Sequence, residues 1–303
     1  MMSETTGFVE FVVSNKVFQT WYKVVGDLSS SRRRPLVVLH GGPGLTHDYM
    51  LPHRKLSEEG IPVVFFDQLG SGKSSHYREA PIDFWKPELF ADQLDGLVQH
   101  LKISDNFDLL GHSWGGFLAA YYAANRPHSG YRSLILANAP ASIHLLEKGL
   151  NLHLDQFPKE FADMMRRHES ENTTNSPEYS KGISQFVSKH LCSLSPWPQE
   201  LRDSFAANGK DPTVSNSMMG PYQFKITGTL RPYSTIDQLG NIKVSTLVIH
   251  SPLDEVHQIA IQPFLKHIQR CELQELRNST HLPMFEEPDR YFATLSSFLS
   301  KNA

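Results

Sequence analysis

The chain has 303 residues, of which 40% are hydrophobic and 20% are charged, and its formal net charge is -3. A chain of this length can bury one large core, or a core together with a smaller domain. The slightly negative net charge does not favour a nucleic-acid or membrane-surface partner.

Predicted strands and helices alternate along most of the chain. Residues 8–13 and 18–25 are rich in β-forming side chains and flank a polar turn, which predicts a hairpin. Continuous apolar runs, typical of strands buried on both faces of a parallel sheet, follow at 35–40, 62–66, 107–110, 133–137, 244–250 and 271–276. Helical patterns lie between them at 90–101, 115–125, 259–268 and 291–299. This alternation predicts a doubly wound, mostly parallel α/β sheet.

Residues 142–240 break the alternation. They contain no buried-strand run, but they include helix-like stretches at 160–168 and 198–208, separated by turn-rich segments at 171–177, 193–198 and 209–217. A mostly helical insertion fits a cap over the end of the sheet where ligands bind. We therefore expect residues 1–141 and 241–303 to form the core and residues 142–240 to form a helical cap.

Residues 111–115, with the sequence GHSWG, have the form G-x-S-x-G and follow the apolar run 107–110. This is the strand-then-tight-turn context in which a serine nucleophile is raised clear of a sheet. The flanking glycines fit a turn that leaves no room for a Cβ. The pattern predicts that Ser113 is a nucleophile.

Acyl transfer also needs backbone N–H groups that face the developing oxyanion. Residues 40–44, HGGPG, come directly after a strand, and their glycines let the main chain approach a substrate closely. In hydrolases of this sheet type, one donor comes from this loop and the other from the residue after the nucleophile. This assigns the two donors to Gly42 and Trp114.

A serine nucleophile needs a base, and the base needs a carboxylate that orients it. The chain order in this fold is serine, acid, histidine. Asp254 follows the strand run 244–250, and His281 lies in the loop between the last strand and the terminal helix. The chain has 15 histidines, and position in the predicted topology separates His281 from His250, His257 and His267. The predicted triad is therefore Ser113, Asp254 and His281.

Residues 67–74, DQLGSGKS, follow another strand and invite comparison with a phosphate-binding loop. The spacing does not match G-x-x-x-x-G-K-[ST], so we expect a structural turn that supports residues 40–44. No cysteine or histidine cluster has the spacing of a zinc site. We expect neither a metal nor a cofactor.

On these motifs the chain resembles the proline iminopeptidase family of serine peptidases and its L-amino-acid amidase relatives. The resemblance rests on residues 40–44, 67–74 and 111–116, together with 219–224 and 227–230 in the expected cap. It implies an α/β-hydrolase fold. It also implies removal of an N-terminal residue, often proline, from short peptides, arylamides or amino-acid amides, without a cofactor.

The resemblance further implies acidic residues that recognise the free ammonium group of the substrate. One of them directly follows the triad aspartate, and Glu255 keeps that position. The second falls in the cap at the position of Gln223, where this chain has an amide in place of a carboxylate. An amide accepts a hydrogen bond but carries no charge, so Gln223 leaves the nature of the substrate open.

The sequence thus predicts a serine hydrolase for a small amino-acid amide or short peptide with a free amino terminus. The alternative is an esterase, lactonase or amidase for a neutral small molecule, in a specialised biosynthetic pathway, which Gln223 favours. A non-catalytic ligand-binding protein on a hydrolase fold is more distant, because the catalytic elements are complete. An epoxide hydrolase is disfavoured, since that chemistry needs a carboxylate in place of Ser113.

Nothing in the sequence predicts a membrane partner or export. No run of about 18 uncharged apolar residues is present, and the polar residues 1–7 lack the basic and apolar parts of a secretory signal. Cys192 and Cys271 lie far apart in the chain, which favours free thiols over a disulfide framework. We expect a cytoplasmic protein.

Overall fold

The computed structural model describes residues 3–29, 32–126 and 130–303, so the first two residues of the polar start lie outside it. The described residues form one sheet of eight strands: β1 (Glu4–Val13), β2 (Lys16–Val25), β3 (Leu36–Leu39), β4 (Val63–Phe66), β5 (Phe107–His112), β6 (Tyr131–Ala137), β7 (Ser245–His250) and β8 (Cys271–Glu275). Their order across the sheet is β1-β2-β4-β3-β5-β6-β7-β8. The β1–β2 and β2–β4 pairs are antiparallel and the other neighbouring pairs are parallel, which confirms the predicted sheet.

The described helices are α1 (Pro87–His100), α2 (Trp114–Asn125), α3 (Ile143–Leu154), α4 (Lys159–Ser170), α5 (Pro177–His190), α6 (Gln199–Lys210), α7 (Thr213–Met218), α8 (Gln258–His267), α9 (Pro283–Glu286) and α10 (Pro288–Lys301). Three 3-10 segments, His47–Glu59, Ile82–Phe84 and Ile236–Asn241, complete the elements. Helix α1 begins three residues before the predicted position 90, at Pro87. Proline is compatible with the first helical turn because the N–H it lacks would have no partner there. Within the described part of the chain, no helix is long and apolar enough to cross a membrane.

Apolar layers cover both faces of the sheet. Alternate strand residues point to opposite sides, so Val37 and Val64 pack on the layer that contains α1, α2 and α8. Val38 and Phe65 pack on the other layer, which contains α10 and the segment His47–Glu59. Strands β3, β4 and β5 are buried at every residue, as expected for strands covered on two faces.

Strand β8 departs from the prediction. The run 271–276 was expected to be buried like the other strands, but Glu272 and Leu273 are exposed. Among the described strands, β8 is the last of the sheet and pairs only with β7, so the covering layers leave part of it in solvent. That expectation is therefore wrong.

Helices α3 to α7 all lie between β6 and β7 in the chain. The stretches predicted at 160–168 and 198–208 correspond to α4 and α6, whereas α3 and α5 were not predicted. The segment 209–217 was expected to be a turn, but it contains the end of α6 and most of α7, because Gly209 is tolerated inside a helix and Pro212 precedes α7. A separate apolar cluster packs this region: Leu150, Leu154, Ala162, Met165, Tyr179, Phe186 and Phe224.

Candidate active site

Ser113 lies in the turn between β5 and α2, and its backbone is strained. Its φ of 57° and ψ of -124° are rare for a residue with a side chain. A Cβ on Gly111 would lie 2.0 Å from the carbonyl oxygen of Gly115, and one on Gly115 would lie 2.3 Å from that of Leu39. The turn, called here the nucleophile elbow (residues 111–115), therefore requires glycine at both positions.

Residues 40–44 come directly after β3 and are called here the oxyanion loop, after their predicted role. The N–H of Gly41 donates to the Tyr49 hydroxyl at 2.6 Å, whereas the N–H of Gly42 has no acceptor among the described residues. Trp114 is the first residue of α2, so its N–H has no partner one turn earlier in the helix. Gly42 and Trp114, which the sequence predicts as the oxyanion donors, thus both have N–H groups without an acceptor among the described residues, and their role stays a prediction.

His40 fixes the direction of one of these donors. The pKa of His40 is lowered by burial, so its ring is neutral, accepting from the N–H of Gln68 at 3.0 Å and donating to the carbonyl of Gly41 at 3.0 Å. The C=O and N–H of a trans peptide point in opposite directions, so holding the Gly41 carbonyl also aims the Gly42 N–H.

The turn at residues 67–74 contacts this loop, as the sequence predicted. The Gln68 amide nitrogen donates to the carbonyl of His40 at 2.8 Å, and its oxygen accepts from the Trp114 indole N–H at 2.8 Å. Gln68 therefore joins the oxyanion loop to the nucleophile elbow.

Asp254 and His281 are in direct contact. The Nδ1 of His281 donates to Asp254 Oδ1 at 2.6 Å, and both side chains are buried. Burial acts to lower the pKa of His281, but the charge of Asp254 and its hydrogen bond act in the opposite sense, with Glu255 adding to them, and raise it to about 9. Because Nδ1 faces Asp254, Nε2 of His281 lies on the opposite side of the ring. His281 and Ser113 line the same cavity.

Two residues that support this pair were missed by the sequence analysis. Asn138 directly follows β6 and donates from Nδ2 to Asp254 Oδ2 at 2.8 Å. Glu286 accepts from the N–H of Thr280, next to His281, at 2.8 Å. The position of Asn138 at the carboxyl end of a central strand is a signal that could have identified it, since ligand sites lie at that edge.

Glu255 and Gln223 also meet at the site. Glu255 Oε1 lies 3.7 Å from Nε2 of His281, and Gln223 donates from Nε2 to the other carboxylate oxygen at 3.4 Å. Burial raises the pKa of Glu255, although the positive charge of His281 acts in the opposite sense. The predicted substrate residues are therefore neighbours, and one of them is next to the predicted base.

A third carboxylate, Glu169, holds the segment of the main chain that carries Gln223. Its Oε1 accepts from the backbone N–H groups of Gln223 and Phe224 at 2.8 and 2.9 Å, and from the Tyr179 hydroxyl at 2.7 Å. Glu169 is buried, and no sequence motif pointed to it. Its contacts fix the main chain of Gln223.

A cavity of about 420 Å³ brings the predicted residues together. Gly42, Ser113, Trp114, Gln223, Glu255 and His281 line it, while Asp254 lies behind His281. Most of the remaining wall is apolar and comes from residues 142–240, including Leu146, Leu150, Ile183, Val187, Leu201 and Phe205. The cavity is thus an apolar pocket with one carboxylate beside the predicted base.

Known proteins are similar to this chain in sequence. Residues 34–288 match the model of the α/β-hydrolase fold family. The proline iminopeptidase of Saccharolobus solfataricus is 32% identical over 94% of this chain and 89% of its own length. That of Thermoplasma volcanium is 30% identical over 93% of each chain.

Two solved structures are similar over nearly their whole length. The crystal structure of VinJ has a TM-score of 0.92 and 38% sequence identity, covering 98% of this chain and 99% of that one. The proline iminopeptidase of Mycobacterium smegmatis has a TM-score of 0.89 and 34% identity, covering 98% of both chains. The chain is therefore a serine hydrolase of the α/β-hydrolase fold and belongs to the proline iminopeptidase family.

Proposed function

We propose that the enzyme releases an N-terminal proline or other apolar residue from short peptides or amino-acid amides. The observation that carries this proposal is the position of the Glu255 carboxylate, 3.7 Å from Nε2 of His281. The α-amino nitrogen of a substrate is two bonds from the scissile carbonyl carbon. A carboxylate beside the base therefore meets the ammonium group when Ser113 reaches that carbonyl. The names of the three proline iminopeptidases reported above support the same substrate class.

In the proposed reaction, Ser113 attacks the carbonyl while His281 removes its proton and then protonates the leaving group. Asp254 orients His281 through Nδ1, and the N–H groups of Gly42 and Trp114 stabilise the oxyanion. Water then hydrolyses the acyl-enzyme with His281 again as the base. These steps need no cofactor and no metal.

We propose that residues 142–240 form a cap on a core made of residues 1–141 and 241–303. Helices α3 and α5 contribute Leu150 and Ile183 to the cavity wall, and Gln223 comes from the same region. The cap would thus shape the pocket for the N-terminal residue, while the core holds the reacting groups.

We propose small molecules or short peptides as the substrates and the cytoplasm as the location. The cavity of about 420 Å³ lies within the range of small-molecule sites, roughly 300–1,000 Å³. Cys192 and Cys271 are free thiols, which are typical of a reducing compartment.

A second candidate is an esterase, lactonase or amidase for a neutral small molecule. Gln223 favours it, because the amide adds no charge to the amine side of the pocket and its Nε2 already faces Glu255. Such an enzyme would use the same serine chemistry without an ammonium contact.

Hydrolysis of matched chromogenic substrates tests the two candidates. The set contains prolyl and other aminoacyl arylamides, each with a free and an N-acetylated amine, together with a simple acyl ester. The expected result is cleavage that is fast for the free-amine arylamides and slow for the acetylated arylamides and the ester, and that Ser113→Ala abolishes. Ester cleavage without amide cleavage, or indifference to acetylation, would favour the neutral-substrate enzyme instead.

A further inference from the structure

We propose that Tyr49 and His112 form a hydrogen-bonded chain that positions the oxyanion loop and His281 relative to each other. Tyr49 lies in the 3-10 segment His47–Glu59, and His112 directly precedes Ser113. Both side chains are buried, and neither takes part in the reaction steps given above. The inference rests on the proposed function, since it assigns His281 as the base.

Three contacts make up the chain. The N–H of Gly41 donates to the Tyr49 hydroxyl at 2.6 Å. The same hydroxyl lies 3.0 Å from Nδ1 of His112, and Nε2 of His112 lies 2.7 Å from the carbonyl oxygen of His281. The chain of hydrogen bonds therefore runs without a break from the oxyanion loop to the main chain of His281.

Only one arrangement of protons fits all three contacts with a neutral ring. A carbonyl oxygen can only accept, so Nε2 of His112 carries the hydrogen and Nδ1 is the acceptor. Tyr49 accepts from Gly41 and uses its own hydrogen to donate to His112. Burial lowers the pKa of His112 well below its usual range, and the neighbouring His281 acts in the same sense, so the ring is neutral. Every donor in the chain then has an acceptor.

The chain of hydrogen bonds links loops that follow different strands of the sheet. The oxyanion loop follows β3, the nucleophile elbow follows β5, and the loop with His281 follows β8 at the sheet edge. A Cβ on Gly41 would lie 2.8 Å from the Tyr49 hydroxyl and 3.0 Å from Cβ of Ser113, so the loop is packed directly on both residues. Catalytic geometry depends on such support, because misplacement by about 1 Å can cost on the order of 100-fold in rate.

A neutral His112 also suits the charge that develops during the reaction. The rings of His112 and His281 lie 4.6 Å apart, and His281 becomes positive when it takes the Ser113 proton. A charged His112 would oppose that step by like-charge repulsion. The hydrogen bonds to Tyr49 and to the His281 carbonyl fit the neutral form.

Tyr49→Phe tests the chain of hydrogen bonds, because it removes the hydroxyl and changes the side-chain volume little. It leaves the Gly41 N–H and Nδ1 of His112 without partners but does not touch the reacting groups. The readout is the rate of labelling by a fluorophosphonate, in which Ser113 Oγ bonds to phosphorus, fluoride leaves and the serine proton passes to His281. We expect labelling and kcat to fall at least about tenfold, with little change in KM.

Tyr131→Phe is the matched control. The Tyr131 hydroxyl is also buried and donates to a main-chain carbonyl at 2.9 Å, but it lies at the start of β6, on the opposite edge of the sheet from Ser113. We expect this variant to be labelled at the wild-type rate even where its melting temperature falls as much as that of Tyr49→Phe. A general loss of stability would slow both variants equally.

His112 variants complete the test as a double-mutant cycle. Tyr49→Phe combined with His112→Leu should lose less labelling rate than the product of the two single losses, because the two variants share the loss of the Tyr49–His112 bond. His112→Gln, which keeps a donor near the Nε2 position, should be labelled faster than His112→Leu. Labelling of Tyr49→Phe within twofold of wild type, or additive effects in the cycle, would overturn the proposed positioning role of Tyr49 and His112 but not the proposed function. A wild-type enzyme that is not labelled at Ser113 would overturn the proposed function, and the chain with it.

Discussion

Replacement of Glu255 by glutamine is the change that bears most directly on substrate recognition. The variant keeps a side chain of the same size, and its amide oxygen can still accept a hydrogen bond. It removes the negative charge that lies 3.7 Å from Nε2 of His281. The side chain of Glu255 is 18% exposed, so water screens its charge only partly.

The size of the effect follows from the loss of that charge. Hydrogen bonds to charged groups contribute about 1.5–3 kcal/mol and neutral ones about 1 kcal/mol. A difference of about 0.5–2 kcal/mol corresponds to a fall of roughly 2- to 30-fold in kcat/KM for substrates with a free amine. N-acetylated arylamides and esters, which carry no ammonium group, should not show this loss.

The pH profile provides an independent readout of Glu255→Gln. His281 must be deprotonated to act as a base, so kcat/KM rises with pH through the His281 pKa. Burial lowers the pKa of His281, whereas Asp254 and, after it, Glu255 raise it, with a net result of about 9. Loss of the Glu255 charge should move the acid limb of the profile to lower pH for every substrate that the enzyme cleaves.

Steady-state kinetics on paired free-amine and N-acetylated arylamides, from pH 5 to 10, measure both effects. Gln223→Glu is the matched control, because it adds a carboxylate at the neighbouring position and should strengthen binding of free-amine substrates. An equal loss of activity on acetylated and free-amine substrates would show that Glu255 does not bind the amine. Unchanged kinetics on both would refute the reasoning altogether.

Three further predictions concern the triad, the nucleophile elbow and the oxyanion loop. Asp254→Asn should lower kcat on the order of 10³–10⁴-fold, because His281 loses the partner that fixes its tautomer, and circular dichroism should show an intact fold. Gly111→Ala should lose about 1–3 kcal/mol in urea unfolding, since its Cβ would lie 2.0 Å from a backbone oxygen. Gly96→Ala, in α1 with nothing within 4 Å, should instead gain about 0.5–1 kcal/mol, and the reverse order would contradict the packing argument. Gln68→Ala should lower kcat about tenfold with KM nearly constant, because it removes hydrogen bonds between the oxyanion loop and the elbow; a change confined to KM would argue against that role.

Much of the fold was predictable because its signals are local. Buried parallel strands appear as short apolar runs, and the hairpin of β1 and β2 appears as two β-rich runs around a turn in which Ser14 and Asn15 have positive φ. Strand β8 was predicted as a strand but not as an exposed one, because burial depends on what covers a strand and not on its own residues. Helix α7 was missed for a related reason, since six residues beside a glycine and a proline carry too weak a helical pattern.

The site residues also divide into those that a local sequence signal identifies and those that it does not. Ser113, Asp254 and His281 could be selected because each follows a strand, and the carboxyl ends of parallel strands share one edge of the sheet. The contact between Gln223 and Glu255 joins residues 32 positions apart, and that between Tyr49 and His112 joins residues 63 positions apart. No local pattern encodes such contacts.

The sequence by itself therefore determined the α/β alternation, the strained serine turn and the residues predicted to carry out the reaction. Only the tertiary structure decided which groups contact them, namely Asn138 on Asp254, Gln68 between two loops, and His112, bonded to Tyr49, on the main chain of His281. The physical reason is that hydrophobic periodicity reports on neighbours within one element, whereas these partners meet only after the sheet order has brought distant loops together.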